Sequence, residues 1–357
     1  MKIVTVIGAR PQFVKAAALS REFAKHKNIE EILIHTGQHF DANMSAVFFD
    51  EMEIPKPMYN LNINSVGHGA MTGRMLEGIE AILLKEKPDL LLVYGDTNST
   101  TAGALAARKL HIKVAHVEAG LRSFNMEMPE EVNRIITDRI SDYLFCPTQT
   151  AIDNLNNEGY KNIDIQIVKS GDVMQDAAEF YALKSKEKST IIANIKLDKY
   201  IVATLHRADN TDDKERLTDI VEALNEIHTT ICPIVLPLHP RTKAKLKLHG
   251  LQLNVKLIDP VGYFDMIELI KNSELVMTDS GGLQKEAFFF EKNCVTMRDQ
   301  TEWVELINAD VNVLVGANKI QILKQVDIML NQTSNFNVDL YGNGAACKNI
   351  VDYLLNN

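Results

Sequence analysis

The sequence predicts an α/β fold in which parallel strands alternate with helices, and it predicts two domains of similar size. Short apolar runs that end at glycine or polar residues alternate along the chain with stretches of helical periodicity. Residues 90–117 contain a strand, a helix and a second strand, the unit that joins neighbouring parallel strands. A chain of 357 residues also exceeds the usual size of a single hydrophobic core.

The composition is that of a globular protein and excludes several classes of partner. Apolar residues make up 46% of the chain, charged residues 24%, and the formal net charge is −9. An acidic chain binds nucleic acid and anionic membranes poorly. No apolar stretch reaches the roughly 20 residues that cross a bilayer, and the first ten residues are predicted as a strand rather than a signal peptide. We therefore expect a cytoplasmic protein with neither of these partners.

The first half of the chain supplies the first sheet. Its predicted strands are residues 2–7, 32–35, 90–94, 114–117, 143–146 and 165–168. Its predicted helices are residues 12–25, 43–51, 71–85, 129–141 and 148–158. The sequence at 170–172, Ser-Gly-Asp, is the predicted hinge, and the charged segment 184–199 is predicted as a surface connection to a second sheet.

The turn after the first strand indicates a phosphate site. Gly8 permits a tight turn, and Pro11 suits the first position of a helix. Arg10 and Lys15 would then stand where a phosphate group meets a helix N-terminus. The glycine-rich stretch 67–73 does not add a dinucleotide site, because its spacing is G-x-G-x-x-x-G and no strand immediately precedes it.

Carboxylates follow the two strands of the central unit. Asp96 comes after the apolar run 90–94, and Glu118 comes after 114–117. Ligands of open α/β sheets bind at the carboxyl ends of the strands, so both side chains should meet at one edge. Glu130 begins the next helix, directly after Pro129. Three carboxylates near one crevice predict acid/base chemistry.

The second half repeats the pattern with cationic and polar residues. Its predicted strands are residues 200–205, 232–238, 255–258, 275–278 and 294–297. The residues that follow them include His206, Arg207, His239, Ser280, Gly281, Gly282 and Arg298. A serine and two glycines at a helix start indicate a phosphate site, and Glu286 further along that helix can accept hydrogen bonds from a ribose.

Several familiar chemistries lack their motifs. No Tyr-x-x-x-Lys pair and no dinucleotide loop support a nicotinamide route. The four cysteines are widely separated, without a C-x-x-C pair, so we expect reduced thiols. His206 has no further ligand at zinc spacing, so we expect no metal and no cofactor.

Six separated motifs resemble those of the non-hydrolysing UDP-N-acetylglucosamine 2-epimerases. They are Gly-Ala-Arg-Pro at 8–11, Tyr-Gly-Asp-Thr at 94–97, His-Val-Glu-Ala-Gly-Leu-Arg at 116–122, Pro-Glu-Glu-Val-Asn-Arg at 129–134, Leu-His-Arg at 205–207 and Thr-Asp-Ser-Gly-Gly at 278–282. The resemblance runs nearly end to end, with the motifs in the family's order.

The resemblance implies a GT-B fold, with two Rossmann-like domains whose parallel sheets face each other across a cleft. Residues 1–170 and a returning C-terminal helix at about 345–357 would form one domain, and residues 171–344 the UDP-binding domain. The implied reaction converts UDP-GlcNAc to UDP-ManNAc through elimination of UDP to a 2-acetamidoglucal, followed by re-addition. The family also implies a homodimer.

The family's functional residues map onto this sequence position by position. Asp96, Glu118, Glu130 and His206 match its active-site residues. Contacts to UDP correspond to Arg10, Lys15, His239, Ser280, Gly281, Gly282, Glu286 and Arg298. Gln38 and Arg207 match positions of a second, activating site in some bacterial members. The sequence leaves open which carboxylate is the acid and which is the base.

Some positions depart from members that act on UDP-GlcNAc. The first turn ends in Gln12 rather than glutamate, Met266 replaces an aromatic residue, and Trp303 replaces an arginine. This pattern is similar to that of relatives acting on UDP-2,3-diacetamido-2,3-dideoxyglucuronate, which is the alternative substrate. A GT-B glycosyltransferase, a hydrolysing epimerase and a nucleotide-sugar sensor are the competing functions.

Overall fold

A computed structural model describes residues 1–38 and 54–357, with only the backbone of Arg10. The predicted helix at 43–51 lies outside the described residues. Contacts divide the chain into two units. Unit 1 comprises Met1–Ala177 and Asp339–Asn357, and unit 2 comprises Ala178–Val338. No helix among the described residues combines the length and apolar character needed to cross a membrane.

Unit 1 contains a seven-stranded parallel sheet in the order β3-β2-β1-β4-β5-β6-β7. Its strands are β1 (Lys2–Ile7), β2 (Glu30–His35), β3 (Tyr59–Asn60), β4 (Leu90–Tyr94), β5 (Lys113–Val117), β6 (Tyr143–Cys146) and β7 (Gln166–Lys169). Its helices are α1 (Arg10–Phe23), α2 (His68–Glu86), α3 (Asn98–Lys109), α4 (Pro129–Ile140), α5 (Gln149–Asn157), the first part of α6 (Val173–Lys188) and α15 (Ala346–Asn356).

The strand order of unit 1 reverses between β1 and β4, which is where open parallel sheets open a crevice for ligands. The turns that follow β1, β4 and β5 therefore lie next to one another at the carboxyl edge. Every residue of β4 is buried, as expected for a central strand covered on both faces.

Unit 2 contains a six-stranded parallel sheet in the order β10-β9-β8-β11-β12-β13. Its strands are β8 (Ile201–Thr204), β9 (Ile234–Pro237), β10 (Lys256–Ile258), β11 (Leu275–Thr278), β12 (Cys294–Thr296) and β13 (Asn312–Leu314). Its helices are the rest of α6, α7 (Ile191–Ile195), α8 (Ala208–Thr211), α9 (Lys214–Thr230), α10 (Pro240–His249), α11 (Tyr263–Lys271), α12 (Gly281–Phe289), α13 (Val304–Asn308) and α14 (Lys319–Asn331). Here the order reverses between β8 and β11.

The C-terminal helix α15 belongs to unit 1, although unit 2 precedes it in the chain. The Asp176 carboxylate accepts hydrogen bonds from the backbone nitrogens of Ala346 (3.1 Å) and Cys347 (2.8 Å). A carboxylate at this position satisfies amides that have no partner within the helix. Tyr353 packs edge-on against Phe145 of β6, with ring centroids 5.8 Å apart. These contacts fix the end of the chain to the first sheet.

The predicted α/β class with two parallel sheets is confirmed, and the structure refines two local predictions. Residues 184–199, the predicted surface connection, lie mostly at the surface, but they are largely helical: α6 continues to Lys188 and α7 follows it, with Ile195 buried. The helix predicted at 71–85 begins earlier, at His68, so most of the glycine-rich stretch is helical. In both places the local composition is weak in apolar periodicity, and tertiary packing decides the structure.

Gly120 provides a test of the backbone after β5. Its φ is +79°, and an added Cβ would lie 2.5 Å from the Ala151 carbonyl oxygen. We expect Gly120→Ala to reduce the free energy of unfolding by at least about 3 kcal/mol, through a left-handed backbone and a steric clash. Urea-induced unfolding measures the change.

Gly159→Ala is the matched control. Gly159 has a similar φ of +85°, but no described atom lies within 4 Å of the position that an added Cβ would take. Only the backbone cost of about 1 kcal/mol should remain. Equal losses in the two variants would contradict the role of the Ala151 contact.

Candidate functional site

Asp96 follows β4 and is held by an arginine from α4. Arg134 Nη2 lies 2.5 Å from Asp96 Oδ2, and the Asp96 side chain is partly buried. Burial raises the pKa of the Asp96 carboxyl, the Arg134 guanidinium opposes that rise, and the negative charge of Glu118 adds to it. The result is a carboxyl group with a raised pKa at the edge of the first sheet.

Glu118 follows β5 and forms a buried ion pair with Lys15 of α1. Its backbone has a φ of +71°, an uncommon conformation for a residue with a side chain. A Cβ on Gly95 would lie 3.2 Å from Glu118 Oε2 and 3.5 Å from Lys15 Nζ. Glycine at position 95 therefore leaves space for this ion pair beside the Asp96 turn.

Glu130 stands in the first turn of α4 and is exposed. It is near enough to Asp96 that its charge contributes to the raised pKa of the Asp96 carboxyl. The structure thus brings together the three carboxylates that the sequence places at one crevice, Asp96, Glu118 and Glu130. Each one comes from a different turn or helix of unit 1.

Helix α4 faces the first sheet with charged residues rather than apolar ones. Its buried positions are Glu131, Arg134, Thr137 and Asp138. Glu131 accepts hydrogen bonds from the backbone nitrogens of Ser123 and Phe124, both at 2.9 Å, and from Arg134 Nη1 at 2.8 Å. Burial alone would raise the pKa of Glu131, but these bonds hold it below its usual value. Glu131 thereby supports Arg134, which in turn holds Asp96.

In unit 2, the turns after β8 and β11 are joined by Asp279. Its buried carboxylate accepts hydrogen bonds from the backbone nitrogens of His206 (3.0 Å) and Arg207 (2.9 Å). His206 Nδ1 lies 3.3 Å from Asp279 Oδ1, and its ring is 44% exposed. The His206 ring is therefore oriented from behind by Asp279 while part of it remains open to a ligand.

The turn after β11 leads into α12, whose first two residues have no side chains to cover the backbone amides. Ser280 is the N-cap of α12, and Gly281 and Gly282 are its first residues. An added Cβ at Gly281 would lie 2.6 Å from Glu302 Oε1, and Arg298 Nη1 lies 3.0 Å from Glu302 Oε2. Burial lowers the pKa of Arg298, and Glu302 opposes that change. A helix N-terminus beside a guanidinium suits an anionic group.

The remaining predicted residues are placed as follows. Glu286 is buried in α12. His239 is the N-cap of α10, and its ring centroid lies 6.3 Å from that of His206. Gln38 Oε1 accepts a hydrogen bond from Ser99 Oγ (2.9 Å), and Arg207 is the N-cap of α8. The side chain of Arg10 lies outside the described part of the chain.

Trp303 is buried and does not face solvent. Its ring lies 3.9 Å from Nζ of Lys285, a buried lysine of α12. A cation over an indole face is a favourable contact in a desolvated setting. Trp303 therefore packs against α12, as a core residue does.

Sequence reasoning placed Lys15 at a phosphate, which stays a prediction, but it did not foresee the ion pair of Lys15 with Glu118. It also missed the buried polar side chains His116 and Asp138, which lie 2.7 Å apart. The sequence contains a pattern that could have indicated both residues. His116 interrupts an apolar strand, and the charged residues of α4 recur at the spacing of a buried helix face. A helix whose buried face is charged indicates that it packs against a polar site.

Comparisons with known proteins bear on the function of these two sites. A family model described as UDP-N-acetylglucosamine 2-epimerase matches residues 21–355. The UDP-2,3-diacetamido-2,3-dideoxy-D-glucuronate 2-epimerase of Pseudomonas aeruginosa is 58% identical and covers 99% of each chain. The UDP-N-acetylglucosamine 2-epimerase of Methanocaldococcus jannaschii is 46% identical, also over 99% of each chain.

Solved structures agree with these sequence relatives. The M. jannaschii UDP-GlcNAc 2-epimerase in complex with UDP-GlcNAc and UDP matches with a TM-score of 0.91 and 45% identity, over the whole of both chains. The Neisseria meningitidis enzyme bound to UDP-GlcNAc matches with a TM-score of 0.89 and 31% identity, again over both chains. The agreement therefore extends over the full length of the fold.

The contribution of the Glu131 charge, which holds Arg134, to the free energy of unfolding can be tested by varying the pH. Its lowered pKa means that it stabilises the folded state above the unfolded pKa of about 4.3, and this contribution is lost as the pH falls through the folded pKa. We expect Glu131→Gln to reduce the free energy of unfolding by about 2 kcal/mol at pH 7. The difference from wild type should shrink below about pH 4.

Urea-induced unfolding across this pH range measures the effect. Glu77→Gln, at an exposed position of α2, is the control and should leave the stability near that of the wild type. A wild-type advantage that stayed constant down to about pH 3 would show that the charge of Glu131 is not responsible.

Proposed function

The chain belongs to the UDP-N-acetylglucosamine 2-epimerase family, and from this premise we propose that it inverts C2 of a UDP-2-acetamido sugar without a cofactor. It is an isomerase of UDP-sugars. The observation that carries the mechanism is the cluster of Asp96, Glu118 and Glu130, in which Lys15 and Arg134 allow like charges to stand close together. Inversion at a C–H centre needs one group to take the proton and another to return it on the opposite face.

In the first step, a carboxylate of this cluster removes the proton from C2. The electrons of the C2–H bond form the C1=C2 double bond, and the C1–O bond breaks with its electron pair leaving on UDP. The intermediate is a 2-acetamidoglucal. Protonation of C2 on the opposite face and attack of UDP on C1 then complete the inversion. The reaction balances without an external oxidant or reductant.

The environments of the carboxylates support a division of roles. The raised pKa of Asp96 favours a group that holds a proton and returns it. Glu118, held by the Lys15 ammonium, is the candidate proton acceptor. We assign to Glu130, which is exposed at the start of α4, an assisting role in departure or return of the proton. The sequence left open which carboxylate is the acid and which is the base, and these assignments propose an answer.

We assign UDP binding to the sites formed by the turns after β8, β11 and β12 in unit 2. The N-terminus of α12 at Ser280, Gly281 and Gly282, together with Arg298 and His206, suits the diphosphate while it is detached from the sugar. Glu286 is assigned to the ribose. The family resemblance supports UDP-contact roles for Arg10, Lys15 and His239, and second-site roles for Gln38 and Arg207.

The first candidate substrate is UDP-2,3-diacetamido-2,3-dideoxy-D-glucuronate. The relative named for this activity is 58% identical, compared with 46% for the M. jannaschii UDP-GlcNAc enzyme. The second candidate is UDP-GlcNAc. The cytoplasmic location remains a proposal that rests on the sequence, and the homodimer and the domain boundaries near residues 170 and 345 remain proposals that rest on the family resemblance.

An NMR experiment in D2O tests the proposal with each candidate substrate in turn. Epimerisation with deuterium at C2 and UDP still attached supports it. Free sugar released together with UDP would indicate a hydrolysing enzyme. No exchange with either substrate would favour sugar transfer or nucleotide-sugar sensing, and the epimerase proposal would fail for these sugars.

Neutralising each carboxylate should abolish most of the turnover. We expect Asp96→Asn, Glu118→Gln and Glu130→Gln each to lower kcat by at least about 100-fold, because each removes an acid/base group. Calorimetric binding of UDP should persist in Asp96→Asn and Glu130→Gln, because neither side chain is assigned to UDP. Glu127→Gln, an exposed glutamate just before α4, is the control and should retain kcat. Near-wild-type rates in all three site variants would refute the assignment.

A further inference from the structure

The turn that carries Asp96 is fixed by side chains from three elements of unit 1. Three successive backbone carbonyls in this turn each accept a hydrogen bond from a different side chain. The pairs are Gln12 Nε2 to Tyr94 O (2.8 Å), His116 Nε2 to Gly95 O (2.7 Å) and Asn133 Nδ2 to Asp96 O (2.9 Å). The position of the Asp96 carboxylate therefore depends on bonds that do not touch the carboxylate itself.

His116 differs from the other two donors because both of its ring nitrogens face acceptors. Nε2 faces the Gly95 carbonyl, and Nδ1 lies 2.7 Å from Asp138 Oδ1. The ring is fully buried, so water does not reach either nitrogen. The geometry is satisfied when both nitrogens carry protons and donate.

Asp138 holds His116 in this orientation. Its carboxylate also accepts hydrogen bonds from Arg122 Nη1 (2.7 Å) and from the backbone nitrogen of Gly120 (3.2 Å). Burial alone would raise the pKa of Asp138, but His116 and Arg122 hold it below its usual value. An ionised Asp138 thus fixes the ring, and the ring presents Nε2–H to the turn above it.

Gly95 depends on this bond more than its neighbours do. It has a φ of +60° and no side chain that could pack and hold it. Its backbone nitrogen donates to Val117 O (3.0 Å), and its carbonyl accepts from His116. Without the His116 bond, the carbonyl of the peptide that joins Gly95 to Asp96 loses its buried donor, and the conformation that satisfies it is no longer favoured.

We propose that His116 is a positioning residue for the reaction, which sets the place of the Asp96 carboxylate through the Gly95 carbonyl. The inference rests on the proposed function only in that Asp96 acts on the substrate. A purely structural role would instead reside in the contact with Asp138, where His116 provides a partner for a buried carboxylate. The two ring nitrogens separate these roles, because each contacts a different partner.

Two substitutions separate the two bonds. The amide nitrogen of glutamine reaches the position of Nε2, so His116→Gln keeps a donor for Gly95 and loses the one for Asp138. The amide nitrogen of asparagine reaches the position of Nδ1, so His116→Asn keeps the bond to Asp138 and loses the one to Gly95. The variants serve as matched controls for each other.

The proposal predicts opposite orders for activity and stability. Because small displacements of a reacting group reduce turnover strongly, kcat of His116→Asn should be about 10-fold below that of His116→Gln, with similar KM values. His116→Asn should nevertheless unfold at the higher temperature, because it keeps a partner for Asp138. If kcat instead followed the unfolding temperature, the role of His116 would be structural and the proposal would be wrong.

Hydrogen exchange gives a readout that does not depend on activity. The peptide containing residues 95–97 should exchange faster in His116→Asn than in His116→Gln, because only the latter holds the Gly95 carbonyl. Equal exchange in the two variants would overturn the positioning role, even in a fully active enzyme. Absence of turnover in the wild type would instead count against the proposed function, and the exchange result would still decide whether His116 holds the turn.

Discussion

The site in unit 1 depends on the pairing of carboxylates with buried cations. Asp96 and Glu118 follow neighbouring strands, so the sheet places two negative charges close together at its carboxyl edge. Such charges repel each other and lose hydration when buried. Lys15 and Arg134 offset both effects, each from a different helix. The order of the strands brings the acids together, and the helices supply the charges that make this arrangement stable.

Buried ion pairs are costly unless every group has partners, and this chain meets that condition by extending the network. Arg134 contacts Glu131 as well as Asp96, and Glu131 in turn binds two backbone amides. The same logic applies at His116 and Asp138 beneath the Gly95 carbonyl. The carboxyl edge of the first sheet is therefore largely polar. Its conformation is determined by directed hydrogen bonds and ion pairs rather than by apolar packing.

The sequence alone was sufficient to predict the strands and their carboxyl-end residues, because buried parallel strands consist of continuous apolar runs. Asp96 and Glu118 could be found for the same reason. It was not sufficient for the short edge strands β3 and β13, which lack a full apolar run, or for α7, whose packing depends on tertiary contacts. The sequence also could not identify the ion-pair partner of Glu118, since Lys15 is 103 positions away in the chain.

The return of helix α15 to unit 1 has a consequence for biosynthesis. Unit 2 is one continuous segment, whereas unit 1 is completed only by residues 339–357, which follow unit 2 in the chain. Unit 2 can therefore acquire its native structure during translation before residues 339–357 are made, whereas the unit that bears Asp96, Glu118 and Glu130 must wait for them. A polypeptide truncated before α15 would thus leave the Asp176 carboxylate and the Phe145 ring without the partners that this helix provides, which couples completion of the first sheet's surroundings to synthesis of residues 339–357.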